Sequence, residues 1–221
     1  MKSVIVTQNL IPVFAGNGSS VYLWALSQQL SKNNYEIHLI TYNLNLTQWF
    51  KITGCSTRQE LENSLVGTKI VPHFFEYTEI KHPEGFYGSY MGRALFPRPE
   101  YYYKGYQYSD IVNNLLSTIK PDIIFPYSID AISAINMHKF KHNVPTAALI
   151  VDMDHLVRKY RRKYSGRNSI KSYLRQFRNI VAERKFFKTS MALLEISDKI
   201  ICSAYHHATW LKDQGFENIR Y

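Results

Sequence analysis

The chain has 221 residues, of which 45% are hydrophobic and 20% charged, with ten glycines and eight prolines. This composition supports a sizeable core and excludes a wholly disordered chain. No apolar run reaches the roughly 20 residues that a membrane-spanning helix needs, and the first sixteen residues lack a signal-peptide core, so we expect a cytoplasmic protein.

Short apolar runs alternate with segments of helical periodicity, as in βαβ units. The predicted strands are Ser3–Thr7, Glu36–Tyr42, Thr68–Phe75, Asp122–Pro126, Thr146–Val151 and Lys199–Cys202, with a further strand beginning near Phe216. The predicted helices are Ser19–Ser31, Tyr106–Ile119, Asp130–Lys141, Ser169–Ala192 and Tyr205–Gln214. The alternation predicts an α/β fold with a doubly wound, mostly parallel sheet and helices on both faces. Without a linker or repeat, residues 1–221 form a single predicted domain, and we expect the chain to be part of a longer protein.

The two cysteines, Cys55 and Cys202, lie 147 positions apart. Neither has partners at metal-ligand spacing, so we predict buried apolar residues and neither a disulfide framework nor a metal site.

The first candidate site is the loop after the first strand, which holds Gly16, Asn17, Gly18 and Ser19 immediately before a helix. Ligands of open α/β sheets bind beyond the carboxyl ends of the strands, where helix N-termini offer free N–H groups. The alternative is that the glycines only shape a turn and Ser19 caps the helix. A dinucleotide fingerprint is excluded because Val21 occupies the third glycine position and the second strand ends without an acidic residue, which argues against a nicotinamide oxidoreductase.

The second candidate site follows the strand near residue 150, where Asp152, Asp154 and His155 come in close succession. Carboxylates and an imidazole at a strand's carboxyl end are suited to acid–base catalysis or ligand binding. A surface loop in which the acids pair with nearby arginines is the alternative.

A third candidate is the aromatic tract 86–108, with nine Phe and Tyr among twenty-three residues, including Tyr101 and Tyr102. Tyrosines combine an apolar ring with a polar tip and can stack on sugars or line an amphipathic groove. A long loop packed on its own domain explains the tract equally well.

The positive charge is concentrated in one segment. The formal net charge is +10, and residues 158–188 hold twelve Lys and Arg against the single acid Glu183. We predict that this basic strip meets phosphates or an anionic membrane surface. The predicted contact residues are Arg158, Arg161, Arg162, Lys171, Arg175 and Arg178. Two alternatives stay open: a solvated helix face whose apolar side, from Ile170 to Val181, is buried, and a contact with single-stranded nucleic acid.

Four segments resemble conserved stretches of family 4, a large family of retaining glycosyltransferases with the GT-B fold. They are Tyr35-Glu36-Ile37-His38-Leu39-Ile40-Thr41, Pro121-Asp122-Ile123-Ile124, the strand from Val144-Pro145 to Asp152, and Ser197-Asp198-Lys199-Ile200-Ile201-Cys202-Ser203. The last is similar to the family's Ala-Asp-x-Ile-Ile-x-Ser pattern. Together with the glycine loop, the resemblance to the N-terminal half of these enzymes covers essentially the whole chain.

The resemblance implies a Rossmann-like acceptor-binding domain of an enzyme that transfers a sugar from a nucleotide-sugar to a glycan or lipid-linked acceptor. The nucleotide-sugar, a substrate and not a cofactor, would be held mainly by a second domain absent from this chain, so the chain alone would be inactive. Asp152 and His155 are the implied catalytic residues; the implied acceptor contacts are Gly16, Asn17, Gly18, Ser19, Tyr101, Tyr102 and Tyr127. The non-enzymatic alternative is a peripheral membrane or phosphate-binding module that uses the basic strip, at the inner face of the membrane; nucleic acid is not an expected partner.

Overall fold

The computed structural model describes residues 1–14, 16–66, 68–76, 103–142, 144–151 and 170–221, without the side chains of residues 136–142, 170–179, 181 and 182. In these ranges the strands are β1 (Lys2–Gln8), β2 (Glu36–Leu44), β3 (Ile70–Glu76), β4 (Ile123–Pro126), β5 (Ala147–Ile150), β6 (Lys199–Cys202) and β7 (Ile219–Arg220). The helices are α1 (Gly18–Lys32), α2 (Leu46–Thr53), α3 (Arg58–Val66), α4 (Gly105–Ile119), α5 (Ile129–His142), α6 (Ile170–Glu195) and α7 (Tyr205–Asp213).

The strands form a parallel sheet. It consists of a four-stranded part with the order β3-β2-β1-β4 and a three-stranded part with the order β5-β6-β7. Two parallel bridges, Ile124 with Thr146 and Tyr127 with Leu149, join β4 to β5. The resulting order 3-2-1-4-5-6-7 is that of a doubly wound Rossmann-like sheet, which confirms the predicted fold class.

Helices cover the two faces of this sheet. One face packs against α1, α2 and α3 around residues such as Ile5, Leu23, Leu39 and Leu61, and we call it the α1–α3 face. The opposite face packs against α4 and α5. Helices α6 and α7 enclose β5, β6 and β7 in a further cluster, which contains Cys202. Cys202 is buried, as predicted, whereas Cys55 is half-buried at the margin of the α1–α3 face.

Two helices, α2 and α3, were not predicted from the sequence. Asn45 caps α2 by accepting a hydrogen bond from the backbone N–H of Gln48 (3.1 Å), and Gly54, at φ 75°, ends the helix. At the start of α3 the hydroxyl oxygen of Thr57 accepts from the backbone N–H of Glu60 (3.2 Å), and the carboxylate of Glu60 accepts from the backbone N–H of Ser56 (2.7 Å). Both helices are short, and their start and stop residues are the local signals that identify them.

The buried stripe of α1 is narrow and includes two serines. The buried residues are Ser20, Leu23, Ser27 and Leu30, whereas Ala25 is exposed. The spacing of three and four residues keeps this stripe on one side of the helix, and Ser27 can join it because its hydroxyl donates to the carbonyl of Leu23 (2.8 Å).

Helix α6 bears on one of the alternatives for the basic strip. A buried apolar side from Ile170 to Val181 would include Ile180, but Ile180 is 38% exposed. The buried part of α6 passes through Phe186, Ser190 and Leu194, and Ile180 lies about 120° around the helix from Phe186. Within the part of the chain that the structure describes, no helix is both long and apolar enough to span a bilayer.

Candidate functional site

The carboxyl ends of β1, β2 and β4 meet at one edge of the sheet. Connections from β1 lead to β2 on one side, whereas β4 lies on the other side of β1, so the strand order reverses between β1 and β4. A crevice outside the sheet forms at such a switch point, and ligands of doubly wound folds bind there. The loop from β1 to α1 and the short segment from β4 to α5 border this place.

The first part of the β1–α1 loop is fixed to β2. The hydroxyl groups of Thr7 and Thr41 both donate to the carbonyl of Leu10, at 2.8 and 3.1 Å. Asn9, at φ 49°, donates its backbone N–H to the carbonyl of Tyr42 (3.0 Å), and its own carbonyl accepts from the indole N–H of Trp49 (3.2 Å). These bonds hold the loop in one position at the sheet edge.

The predicted glycine segment forms the start of α1. Asn17, and not Ser19, caps the helix: its side-chain oxygen accepts from the backbone N–H (3.0 Å) and the hydroxyl (3.2 Å) of Ser20. A side chain at Gly16 would approach the Cβ of Ser20 to 2.5 Å, so the backbone needs glycine there. Gly18 is exposed, and a Cβ at that position meets no atom within 4 Å. The N-terminus of α1 therefore lies at the switch point with open space at Gly18.

Tyr127, another predicted site residue, lies beside the first turns of α1. Its backbone N–H donates to the carbonyl of Val6 (2.8 Å), and its ring centroid is 6.3 Å from that of Tyr22. The ring of Tyr127 is only 4% exposed, whereas Tyr22 is 36% exposed and partial burial raises the pKa of its phenol. Ser128 follows at φ 86°, an uncommon conformation for serine, directly before α5 begins.

A buried polar cluster that no sequence pattern indicates lies beside this edge. Asp130, in the first turn of α5, accepts hydrogen bonds from the hydroxyl of Tyr42 (2.7 Å) and the backbone N–H of Gly105 (3.4 Å). Burial, followed by the charge of Asp130, raises the pKa of Tyr42 well above its usual value. Next to it, the ammonium group of Lys104 donates to the side-chain oxygen of Asn43 (3.4 Å). Because Tyr42 and Asp130 are 88 positions apart, no local pattern indicates their contact.

The remaining predicted site residues are not located by the structure. Tyr101, Tyr102, Asp152, His155, Arg158, Arg161 and Arg162 lie outside the described residues. Lys171, Arg175 and Arg178 lie on α6, but their side chains are not described. Strand β5 ends at Ile150, two positions before Asp152, at the same edge of the sheet as β4. The structure thus places Tyr127 beside Tyr22, in the helix that follows the glycine loop, and it leaves the other predictions open.

The edge presents groups suited to a polar or anionic ligand. The first-turn amides of α1 carry the positive end of the helix dipole, and the ammonium group of Lys104 lies at the end of β2. Among the described residues, no three His, Cys, Asp or Glu side chains lie together as a metal site would require.

No protein-family model and no curated protein sequence matches this chain. Among solved structures, Arabidopsis thaliana UGT89C1 complexed with UDP-L-rhamnose is similar over 98% of this chain and 49% of its own, with a TM-score of 0.53 and 9% identity. LpCGTa in complex with UDP is similar over 98% of this chain and 52% of its own, with a TM-score of 0.50 and 12% identity.

These structural neighbours are glycosyltransferases of the GT-B fold. At such low sequence identity the similarity establishes the fold alone. The chain has the Rossmann-like fold of one half of a GT-B protein, and it spans about half the length of the structures it matches.

Proposed function

We propose that this chain is the acceptor-binding half of a retaining glycosyltransferase of the family 4 type, which transfers a sugar from a nucleotide-sugar to a glycan or lipid-linked acceptor. The observation that carries this proposal is the similarity of 98% of the chain to half of UGT89C1. The sequence segments that resemble family 4 support the finer assignment, and the open space at Gly18 supports an acceptor site at the switch point.

The roles of individual residues follow from the chemistry of the edge. Amides at the start of α1 would donate to acceptor hydroxyl or phosphate oxygens, and Tyr127 would border the acceptor. A helix dipole contributes roughly 0.3–1 kcal/mol to anion binding, and each charge-assisted hydrogen bond roughly 1.5–3 kcal/mol, so hydrogen bonds would dominate the affinity. Tyr101 and Tyr102 would stack on the acceptor. Asp152 and His155 would act as acid–base groups for the proton of the acceptor hydroxyl, and the reaction would need no cofactor.

A Gly18→Leu variant tests the acceptor site. Because a Cβ at Gly18 meets no atom within 4 Å, the variant should fold normally, but the leucine would fill the space that the acceptor needs. On an array of glycans and lipid-linked saccharides, we expect the acceptors that the wild-type chain retains to bind about tenfold more weakly or worse, the loss of one good hydrogen bond or more.

Lys32→Leu is the matched control, because Lys32 is exposed at the other end of the same helix. The control should retain acceptors like the wild type. Equal retention by Gly18→Leu would rule out an acceptor at this loop, and an array with no retained saccharide for the wild type would count against the proposal as a whole.

The exposed cations of α6 favour a second function, peripheral binding to an anionic membrane at its cytoplasmic face. Arg184, Lys185 and Lys188 are exposed, and Ile180 adds an exposed apolar side chain on the same helix. Basic groups near an anionic surface contribute roughly 1 kcal/mol each, so four to six of them would give reversible binding.

Sedimentation with phosphatidylserine vesicles tests this second function. Reversal of two charges, Arg175→Glu with Arg178→Glu, should abolish co-sedimentation, because it changes the net charge of the strip by four. Lys51→Glu, on α2, is the control and should lower binding little. Undiminished binding of the double variant would exclude the strip as the membrane contact.

A further inference from the structure

A cavity of about 300 Å³ lies between the β1–α1 loop, α1 and the α2–α3 pair. Its lining includes Phe14, Trp24 and Cys55, whereas Gly16, Gly18 and Ser19 are not among the described residues that line it. The cavity is therefore a separate feature from the proposed acceptor site, although both border the same loop.

Two aromatic rings form one side of the cavity. The ring centroids of Phe14 and Trp24 are 5.2 Å apart and their planes meet at 65°, an edge-to-face arrangement. Phe14 is 71% exposed, so much of this large apolar side chain faces solvent. A further ring placed against this pair would gain aromatic contacts as well as apolar burial.

The three hydroxyl groups of the lining already donate to backbone carbonyls. The hydroxyl of Thr53 donates to the carbonyl of Trp49 (2.8 Å), that of Ser64 to Leu61 (2.7 Å) and that of Thr68 to Leu65 (2.6 Å). None of the described lining residues carries a charge. A charged ligand would lose hydration here without an ionic partner, so the cavity favours an uncharged, apolar one.

From the volume, lining and aromatic pair, we propose that this cavity binds an uncharged aromatic molecule of about ten non-hydrogen atoms, the size of two fused rings. Binding requires neither a sugar donor nor a second domain, so this proposal can be tested independently of the acceptor site. A ligand against Phe14 would contact the loop that continues into Gly16 and Gly18.

Alkylation of Cys55 by iodoacetamide provides the test, because the two cysteines differ in access. Cys55 is half-buried in the lining, whereas Cys202 is buried, and burial raises the pKa of its thiol to about 11. At pH 8 the reagent should modify Cys55 first. We expect 1-naphthylmethanol to slow this reaction about fivefold or more at saturation by covering the thiol. The charged 1-naphthoate, of similar size, should protect little.

Each further measurement bears on one part of the proposal. The fluorescence of the naphthyl group measures binding independently of the alkylation of Cys55. Equal protection by 1-naphthoate would overturn the requirement for an uncharged ligand, and equal protection by 1-adamantanemethanol would overturn the requirement for an aromatic one. If 1-naphthylmethanol neither protects Cys55 nor changes its own fluorescence, the cavity is not a binding site for such molecules.

A pair of neighbouring substitutions on α3 locates the ligand. Ser64 is exposed and lines the cavity, so Ser64→Phe should fill the space and remove protection by 1-naphthylmethanol. Asn63 is also exposed but is not among the described lining residues, so Asn63→Phe should leave protection unchanged. Thermal unfolding of both variants checks that they fold. Full protection in a folded Ser64→Phe variant would place the ligand elsewhere and overturn the assignment.

Discussion

At the scale of single residues, the contact of two histidines on neighbouring strands has consequences for stability. His38 on β2 and His73 on β3 are joined by a hydrogen bond between ring nitrogens (3.0 Å), and the other ring nitrogen of His38 lies 2.9 Å from a carboxylate oxygen of Glu36. Burial, and then the nearby His38, lower the pKa of His73 below its usual value of 6.5, although Glu62 acts weakly in the opposite direction. The fold therefore disfavours the protonated form of His73.

This depressed pKa predicts a loss of stability in mild acid. Above pH 6.5 His73 is mainly neutral in both the folded and the unfolded state. Between pH 6.5 and the lowered pKa, the unfolded chain binds a proton that the folded chain does not. The free energy of unfolding therefore decreases as the pH is lowered through this range. Urea unfolding at several pH values from 8 to 5 measures the slope. His73→Gln should make the slope shallower, whereas His206→Gln, at an exposed position, should not. Equal slopes for the wild type and His73→Gln would contradict the prediction.

At the scale of secondary-structure elements, α4 and α5 pack closely where α4 begins. Gly105 is the first residue of α4, and a Cβ there would overlap the carbonyl oxygen of Asp130 and the hydroxyl of Ser133. Its own N–H reaches the carboxylate of Asp130. The absence of a side chain at Gly105 thus sets the distance between the two helices.

Gly105→Ala should destabilise the protein, because the added methyl group forces α4 and α5 apart. Overpacking of this kind costs about 2 kcal/mol, which lowers the Tm of a domain of this size by about 4–8 °C. Calorimetry of the variant measures the change. Gly18→Ala is the matched control, since Gly18 also begins a helix but has free space around it, and its Tm should stay within about 1 °C of the wild type. A Gly105→Ala variant as stable as the control would show that the helices can relax without cost.

At the scale of the whole molecule, the chain has the fold of one half of a GT-B protein. It spans 49% and 52% of the two glycosyltransferase chains described above. If the nucleotide-sugar is held mainly by the other half, the described edge supplies only the acceptor side of the cleft.

The half-enzyme proposal predicts that this chain alone binds donors weakly and does not turn them over. With UDP-glucose or UDP-L-rhamnose, we expect no UDP release above the background rate and a dissociation constant above about 1 mM, equivalent to a binding free energy weaker than about −4 kcal/mol. Calorimetric titration and a UDP-release assay with candidate acceptors make these measurements. Micromolar donor binding, or multiple turnovers by the chain alone, would show that the donor site is complete within these residues.

Periodicity and apolar runs were enough to predict most elements of the fold. The predicted strands agree with β1 to β6 to within two residues at either end, and α1, α4, α5 and α7 were placed closely. These features follow from local physics, because a strand buried on both faces, such as β5, is apolar along its whole length. The short helices α2 and α3 were missed since their signals are caps and not periodicity.

The sequence by itself determined the alternation of strands and helices, the glycine loop before α1, and the concentration of charge between residues 158 and 188. Only the tertiary structure decided which strands are neighbours, that Asn17 caps α1, and that Tyr42 meets Asp130. The difference has a physical cause: local patterns reflect the few neighbours of a residue along the chain, whereas a contact across 88 positions depends on the packing of the whole sheet and its helices.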